Sequence, residues 1–186
     1  MKRIFDLAFG ILTLVILTIP MLFIFIIIRL TSKGSGFHWS KRIGKNNIIF
    51  KIPKFRTMFV GSPDLATHLL ADADSYISPI GRLLRATSFD EFPQLFSVLK
   101  GDMSFVGPRP ALHNQNDLIA LRIEKGVDKL LPGITGWAQI NGRDELSIVD
   151  KVALDVEYMN RRSFWFDVKI LFITFLKVVK KDGVSH

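Results

Sequence analysis

The sequence predicts a mostly helical α/β domain held at a membrane, and three features predict it. An uncharged run extends from Leu7 to Ile28. Short strand-like and helix-like stretches alternate through the middle, and an aromatic stretch edged by lysines follows from Trp165 to Lys181. With 186 residues and 48% hydrophobic content, the chain suits a single domain with a full core. We divide it into a membrane anchor, residues 1–33, and a cytoplasmic-face body, residues 34–186. Cysteine is absent, which excludes a disulfide framework and a thiolate metal site. A formal charge of +8 calls for anionic partners: nucleic acid, an acidic membrane surface or phosphorylated substrates.

As a helix, Leu7 to Ile28 would be roughly 33 Å long, enough to cross a bilayer. Pro20 deletes a helical N–H and clashes with the carbonyl of Ile16, so a break is expected at Thr18-Ile19-Pro20, with Thr18 able to bond a freed carbonyl. Asp6 has Lys2 and Arg3 one turn away as neutralising partners. Lys2 and Arg3 precede the run, and Arg29, Lys33, Lys41, Arg42 and Lys45 follow it. Positive charge on both flanks places both in the cytoplasm, which predicts a re-entrant helix in a monotopic domain.

Gly34-Ser35-Gly36 reads as a turn, and Ile48 to Ile52 as a strand whose pairing Pro53 blunts. Lys51, Lys54 and Arg56 form a basic edge that either faces solvent or binds phosphate. Gly61-Ser62-Pro63 opens a loop leading to a short helix from about Asp64 to Ala73, where His68 reads as solvated. Ser78-Pro79 restarts helical structure. Arg82 and Arg85, three apart, face either the ligand of the next segment or solvent.

That segment opens with Thr87-Ser88-Phe89-Asp90-Glu91-Phe92-Pro93-Gln94-Leu95. Ser88 and Glu91 have the spacing of a capping box. Phe92, Leu95, Phe96 and Leu99 then make an apolar stripe that Lys100 and Gly101 end. A capped core helix accounts for Glu91 but not for Asp90 beside it. Adjacent carboxylates can divide labour, one attacking phosphorus and the other holding a divalent cation. In Val106-Gly107-Pro108-Arg109-Pro110 the two prolines fix the backbone, so Arg109 loses little freedom on gripping a phosphate with its planar fork.

Asn116 to Lys125 reads as a helix stopped by Gly126, with no assigned chemistry. Pro132-Gly133 and Gly136 mark a loop, Asn141-Gly142-Arg143 a tight turn, and Trp137 packs or stacks on a base. Ser147 to Asn160 has the spacing of an amphipathic helix with Val149, Val152, Val156 and Met159 on one side. Ser163 caps the last helix, whose aromatics and edge lysines suit the bilayer interface or a buried site from which lysines reach out.

The segment TSFDEFPQLFSVLKGDMSFVGPRP, Thr87 to Pro110, resembles the signature of the bacterial monotopic phosphoglycosyl transferases, small sugar transferases acting on polyprenol phosphate. The resemblance continues through KFRTM (Lys54 to Met58), SPIGRLLRATS (Ser78 to Ser88), LPGITGWAQINGR (Leu131 to Arg143) and SFWFDVKIL (Ser163 to Leu171), nearly the whole chain. It implies a re-entrant helix at the bacterial inner membrane, although a serine commonly precedes the proline in the family and Ile19 stands here. It also implies a two-step exchange in which Asp90 attacks the β-phosphate of a UDP-sugar, UMP leaves, and polyprenol phosphate takes the phospho-sugar. Asp90 and Glu91 would hold magnesium; Lys54, Arg56, Arg85 and Arg109 would face phosphates. Arg143 would meet the nucleotide-sugar, with Gln139 beside it. Asp155 and Tyr158 match family positions and are catalytic or structural. The alternative is a non-catalytic membrane-tethered module on anionic lipid or nucleic acid. Nucleic acid has little support, because no recognition motif is present and the aromatics concentrate in membrane-like helices.

Overall fold

Helix α1 (Lys2–Thr31) has 30 residues, and at about 1.5 Å per residue it is roughly 45 Å long. The computed structural model describes residues 1–62, 73–142 and 145–180. The expected Asp64 helix with His68, and Arg143, lie outside the described residues apart from Ala73. Helix α1 continues through Pro20 rather than ending there, so the expected interruption at Thr18-Ile19-Pro20 is absent from its secondary structure. Thr18 bonds the carbonyl of Leu14, four residues back, and not the carbonyl that Pro20 frees.

One side of α1 is buried, at Asp6, Gly10, Met21 and Ile28. The opposite side exposes Leu12, Val15, Ile16, Ile19, Leu22, Phe23 and Ile26. Both ends touch the body. At the start, Arg3 donates to the carbonyls of Val98 and Leu99, and Lys2 pairs with Asp167. Asp6 accepts from the Ser104 hydroxyl and the Phe105 N–H. Its expected partners, Lys2 and Arg3, are taken by other groups, because the body offers buried donors that suit a carboxylate better than an exposed flank does. Near the far end, Phe25 packs on Phe37.

Strands β1 (Phe37–Ile43) and β2 (Ile49–Phe55) form an antiparallel hairpin. Asn46 and Asn47 both have positive φ at its turn, the conformation that favours a two-residue hairpin connection. The strand runs through Pro53 instead of stopping before it. The bonds Gly44 N–H to Ile48 O and Arg56 N–H to Gly36 O fix which pairs exchange hydrogen bonds, and Trp39↔Pro53 falls between them. The proline therefore lacks a donor only where none faces β1.

After the short helix α2 (Ala73–Tyr76), helix α3 (Pro79–Thr87) begins with Ser78 accepting from the Gly81 N–H at 3.0 Å. Gly81 lies against the backbone of Thr57, where a Cβ would come within 2.0 Å of the carbonyl oxygen. The chain then turns at Ser88, φ 57°, into a 3-10 helix (Phe89–Gln94) and helix α4 (Leu95–Lys100), which Gly101 ends at φ 100°. The capping box does not form. Ser88 sits in the left-handed region, its side chain caps nothing, and Glu91 turns to two cations instead. The expected stripe also shifts: Leu95 and Val98 are buried and Phe96 is 48% exposed, because a 3-10 turn advances the residues faster than an α-helical one.

Strand β3 (Ser104–Val106) lies parallel to β4 (Gly133–Thr135), so the expected loop at Gly133 is a strand. Between them runs α5 (Asn116–Glu124), as expected. Helix α6 (Trp137–Ile140) follows; Asn141 has φ −114°, so the turn after it is not of the Asn-Gly hairpin type. Helix α7 (Ile148–Arg161) starts at Ser147, which accepts from the Asp150 N–H at 3.1 Å. Its buried side is Val152, Asp155 and Tyr158, whereas Val149 is exposed: a buried ion pair, rather than a valine row, sets the face. Helix α8 (Phe164–Lys180) buries Phe166, Asp167 and Ile170 and leaves Trp165 77% exposed, with Phe172 and Phe175 also outward. It is therefore neither wholly buried nor wholly surface.

Candidate active site

Two adjacent carboxylates and three cations from separate elements meet where the 3-10 helix crosses the end of β2. Lys54, near the end of β2, donates to Oε1 of Glu91 at 2.7 Å and stands 3.9 Å from Oδ2 of Asp90. Arg109 donates from Nη2 to the same Oε1 at 2.7 Å and from Nη1 to Oε2 at 3.4 Å. Arg85, on α3, anchors its Nε on the Thr57 hydroxyl at 2.9 Å and lies in the field of Asp90. Burial lowers the Arg85 guanidinium from its ordinary value, against the opposing pull of Asp90.

The two carboxyls are driven apart. Burial raises both, and for Asp90 it prevails over the charge of Lys54, with Glu91 adding repulsion, so this carboxyl stays above the usual range. For Glu91 the charges of Arg109 and Lys54 and their hydrogen bonds overcome burial and hold it well below that range. Glu91 is thus a fixed anion whose Oε1 is shared by Lys54 and Arg109, with the longer Arg109 contact on Oε2. Asp90, 9% exposed, carries no comparably short contact to a cation among the described residues.

Arg109 is held by more than its flanking prolines. The Val106 carbonyl accepts from Lys2 at 3.0 Å, Pro108 from the Gly133 N–H at 2.9 Å, and Arg109 from Arg122 at 2.8 Å. Next, Pro110 accepts from Arg42 at 3.2 Å and Ala111 from the Ile43 N–H at 2.9 Å. The loop's carbonyls are therefore tied to α1, β4, α5 and β1 in turn.

The family model for bacterial sugar transferases matches residues 1–181. The chain belongs to the bacterial sugar transferase family. It is 42% identical over its whole length to an uncharacterized sugar transferase, EpsL, of Bacillus subtilis (strain 168), covering 91% of that protein. It is 41% identical over 93% of its length to the undecaprenyl-phosphate glucose phosphotransferase of Komagataeibacter xylinus, covering 35% of that protein. A third relative is the UDP-glucose:undecaprenyl-phosphate glucose-1-phosphate transferase of Escherichia coli (strain K12), 38% identical over 95% of this chain and 40% of the relative. The chain thus spans nearly all of the first relative and well under half of the other two.

In this sugar transferase the structure brings together Asp90, Glu91, Lys54, Arg85 and Arg109. Arg82, one turn before Arg85, is exposed. Arg56 turns instead to the bend after α1, where a Cβ on Gly34 would lie 2.5 Å from its Nη1. Gln139, on α6, buries both atoms of its amide without a hydrogen-bond partner among the described residues. Neither residue bonds the carboxylate pair. Trp137 is locked by packing: its Nε1 donates to Glu157 at 2.8 Å, and Arg161 lies over its ring. It is not presented for stacking on a base.

Sequence reasoning missed Thr57, which aims Arg85, and Arg122, which pairs with the already singled-out Asp155 and reaches the backbone of Arg109. Thr57 lies inside the KFRTM match and was open to discovery there. The ion pair joins residues 33 apart on two helices, and neither pattern nor periodicity signals that.

No cluster of three or more metal-binding side chains occurs among the described residues. Magnesium keeps several waters and takes one or two carboxylates together with substrate phosphates, so two carboxylates suffice only if the substrate completes the shell. Asp90 and Oε2 of Glu91 fit that role; Oε1 of Glu91 is occupied by Lys54 and Arg109.

Proposed function

We propose that the protein transfers a phospho-sugar from a UDP-sugar to undecaprenyl phosphate through a covalent aspartyl intermediate. The observation that carries this reading is the divided pair: Glu91 is fixed as an anion by Lys54 and Arg109, while Asp90 beside it is buried and raised. A carboxylate with raised basicity and, among the described residues, no short cation contact is the better nucleophile of the two.

In the first step an oxygen of Asp90 bonds the sugar-bearing phosphorus of the UDP-sugar. The bond from that phosphorus to the bridging oxygen breaks, and UMP leaves with the electron pair. Next, a phosphate oxygen of undecaprenyl phosphate bonds the same phosphorus and the aspartyl–phosphorus bond breaks, which restores Asp90 and gives undecaprenyl diphospho-sugar. Arg109 and Lys54 bind diphosphate oxygens as charge shifts between them, and Arg85 adds positive charge on the Asp90 side. Magnesium, held by Asp90 and Oε2 of Glu91, would supply further neutralisation of the diphosphate. Arg143 and Gln139 would read the nucleotide end, and Arg56 would serve the phosphates only after leaving Gly34.

The lipid substrate and the soluble donor meet only at a bilayer surface. The exposed apolar sides of α1 and α8 support shallow embedding, and both ends of α1 packing on one body support a helix that enters and leaves by the cytoplasmic face of the inner membrane. No nucleic acid is expected to bind.

Intact-protein mass spectrometry tests the mechanism. With UDP-sugar and magnesium but no undecaprenyl phosphate, the protein should gain one phospho-sugar, on Asp90, and release UMP. A membrane tether without catalysis would release none. A panel of UDP-sugars read by UMP release would then identify the donor.

A further inference from the structure

Behind the active-site loop lies a buried ion pair that the transfer chemistry does not use. Asp155, 1% exposed, stands on the inner side of α7. Its Oδ2 accepts from Arg122 Nε at 3.0 Å and from Nη2 at 2.6 Å, and the remaining Nη1 donates to the Arg109 carbonyl at 2.8 Å. One edge of a planar fork therefore rests on a carboxylate, and the opposite corner rests on the backbone of the residue whose own fork grips Glu91.

As a stabilising device alone this would be a poor choice, since a buried ion pair can often be replaced by apolar residues without loss. As a positioning device it has a clear use. Five donors in fixed geometry hold both ends of the link, and a lysine ammonium could not hold carboxylate and carbonyl with the same spacing. The next carbonyl, that of Pro110, is held independently by Arg42, so loss of Arg122 should misalign the loop without releasing it.

We propose that Arg122, oriented by Asp155, is a positioning residue for phospho-sugar transfer, fixing the Arg109 backbone so that its guanidinium meets Glu91 and the incoming phosphates. This rests on the reading of Asp90, Glu91 and Arg109 as the transfer site.

The test is a mutant cycle in the full chain reconstituted in lipid nanodiscs, read by UMP release with a UDP-sugar and undecaprenyl phosphate. Arg122→Lys and Asp155→Asn should each lower kcat/KM on the order of 10- to 100-fold, the loss that a misplacement near 1 Å can bring. In an Arg109→Ala background the same substitutions should cost little more, because the group they position is gone. Equal losses in both backgrounds would overturn the proposal. Arg122→Lys keeps a charge beside Asp155 and so serves if Asp155→Asn folds poorly. A second readout does not depend on turnover: hydrogen exchange at Nε of 15N-labelled Arg109 should quicken by about tenfold in either variant as its geometry loosens. Unchanged exchange would overturn the positioning role even if no transfer were detected. Faster exchange in a protein whose wild type releases no UMP would leave this role standing and sink the transfer reading alone.

Discussion

Two carboxylate–cation clusters flank Arg109, and they differ in how their charges close. At Asp155 one carboxylate meets one guanidinium, and the set is complete without a ligand. At the 3-10 helix, among the described residues, three cations, Lys54, Arg85 and Arg109, face two carboxylates, and Asp90 has no short cation contact there. The first cluster is balanced and fixes a backbone. The second, among the described residues, sets more cations than carboxylates around Asp90, which suits a site that takes an anion. Burial is common to both, so charge balance, rather than burial, separates the two roles.

The sharpest way to break this comparison is Asp90→Asn. If Asp90 is the nucleophile, both the phospho-sugar adduct and turnover should vanish, a loss of at least about a thousandfold by UMP release. Turnover at the wild-type rate would end the covalent mechanism. The same variant carries a thermodynamic signature. Because the folded-state carboxyl of Asp90 is raised by burial, ionising it costs stability as pH climbs from the unfolded value of 3.8 through the raised folded value. Asp90→Asn should therefore melt higher than wild type at neutral pH, and the two should converge in acid below that unfolded value.

Arg109→Lys should come next, lowering kcat/KM on the order of 100-fold, because an ammonium cannot reproduce the fork that spans both oxygens of Glu91 and a phosphate. Near-normal turnover would place Arg109 with the structural cluster.

Glu91→Gln sharpens the contrast in stability. The folded carboxyl is depressed, so its contribution is present above the unfolded value of 4.5 and lost as pH falls through the lower folded one. The variant should melt below wild type at neutral pH, and the gap should narrow on acidification. A capping-box glutamate would have tolerated glutamine with little loss; an ion-paired one, whose charge Lys54 and Arg109 share, should lose about 3 kcal/mol.

The smallest expected effect concerns topology. Cysteines replacing Lys2 and Lys33 should both resist an impermeant external thiol reagent in intact cells, and labelling of one alone would mean a spanning helix. Pro20→Leu should shift the balance towards that span.

Much of the site was legible in the sequence because its chemistry is local. Asp90 and Glu91 are neighbours, and the prolines around Arg109 announce a fixed loop. The long apolar helix α1 was legible from its uncharged length. What stayed hidden depends on contacts between distant segments. Glu91 reads as a cap until Lys54 and Arg109 are folded against it, and the valine row on α7 is outweighed by Asp155 once Arg122 arrives. Strand β4 has three residues and no pattern of its own; it is a strand because β3 lies beside it.

The start of α1 sets an order on assembly. Lys2 and its partner Asp167 are 165 residues apart, so Asp167 leaves the ribosome that much later. At about 5–20 residues per second, that interval is roughly ten to thirty seconds. During it the apolar side of α1 can find lipid, while Lys2 has not met Asp167. The contacts of the first turn of α1 with α8, through Asp167 and Phe164, are thus among the last that the chain can make.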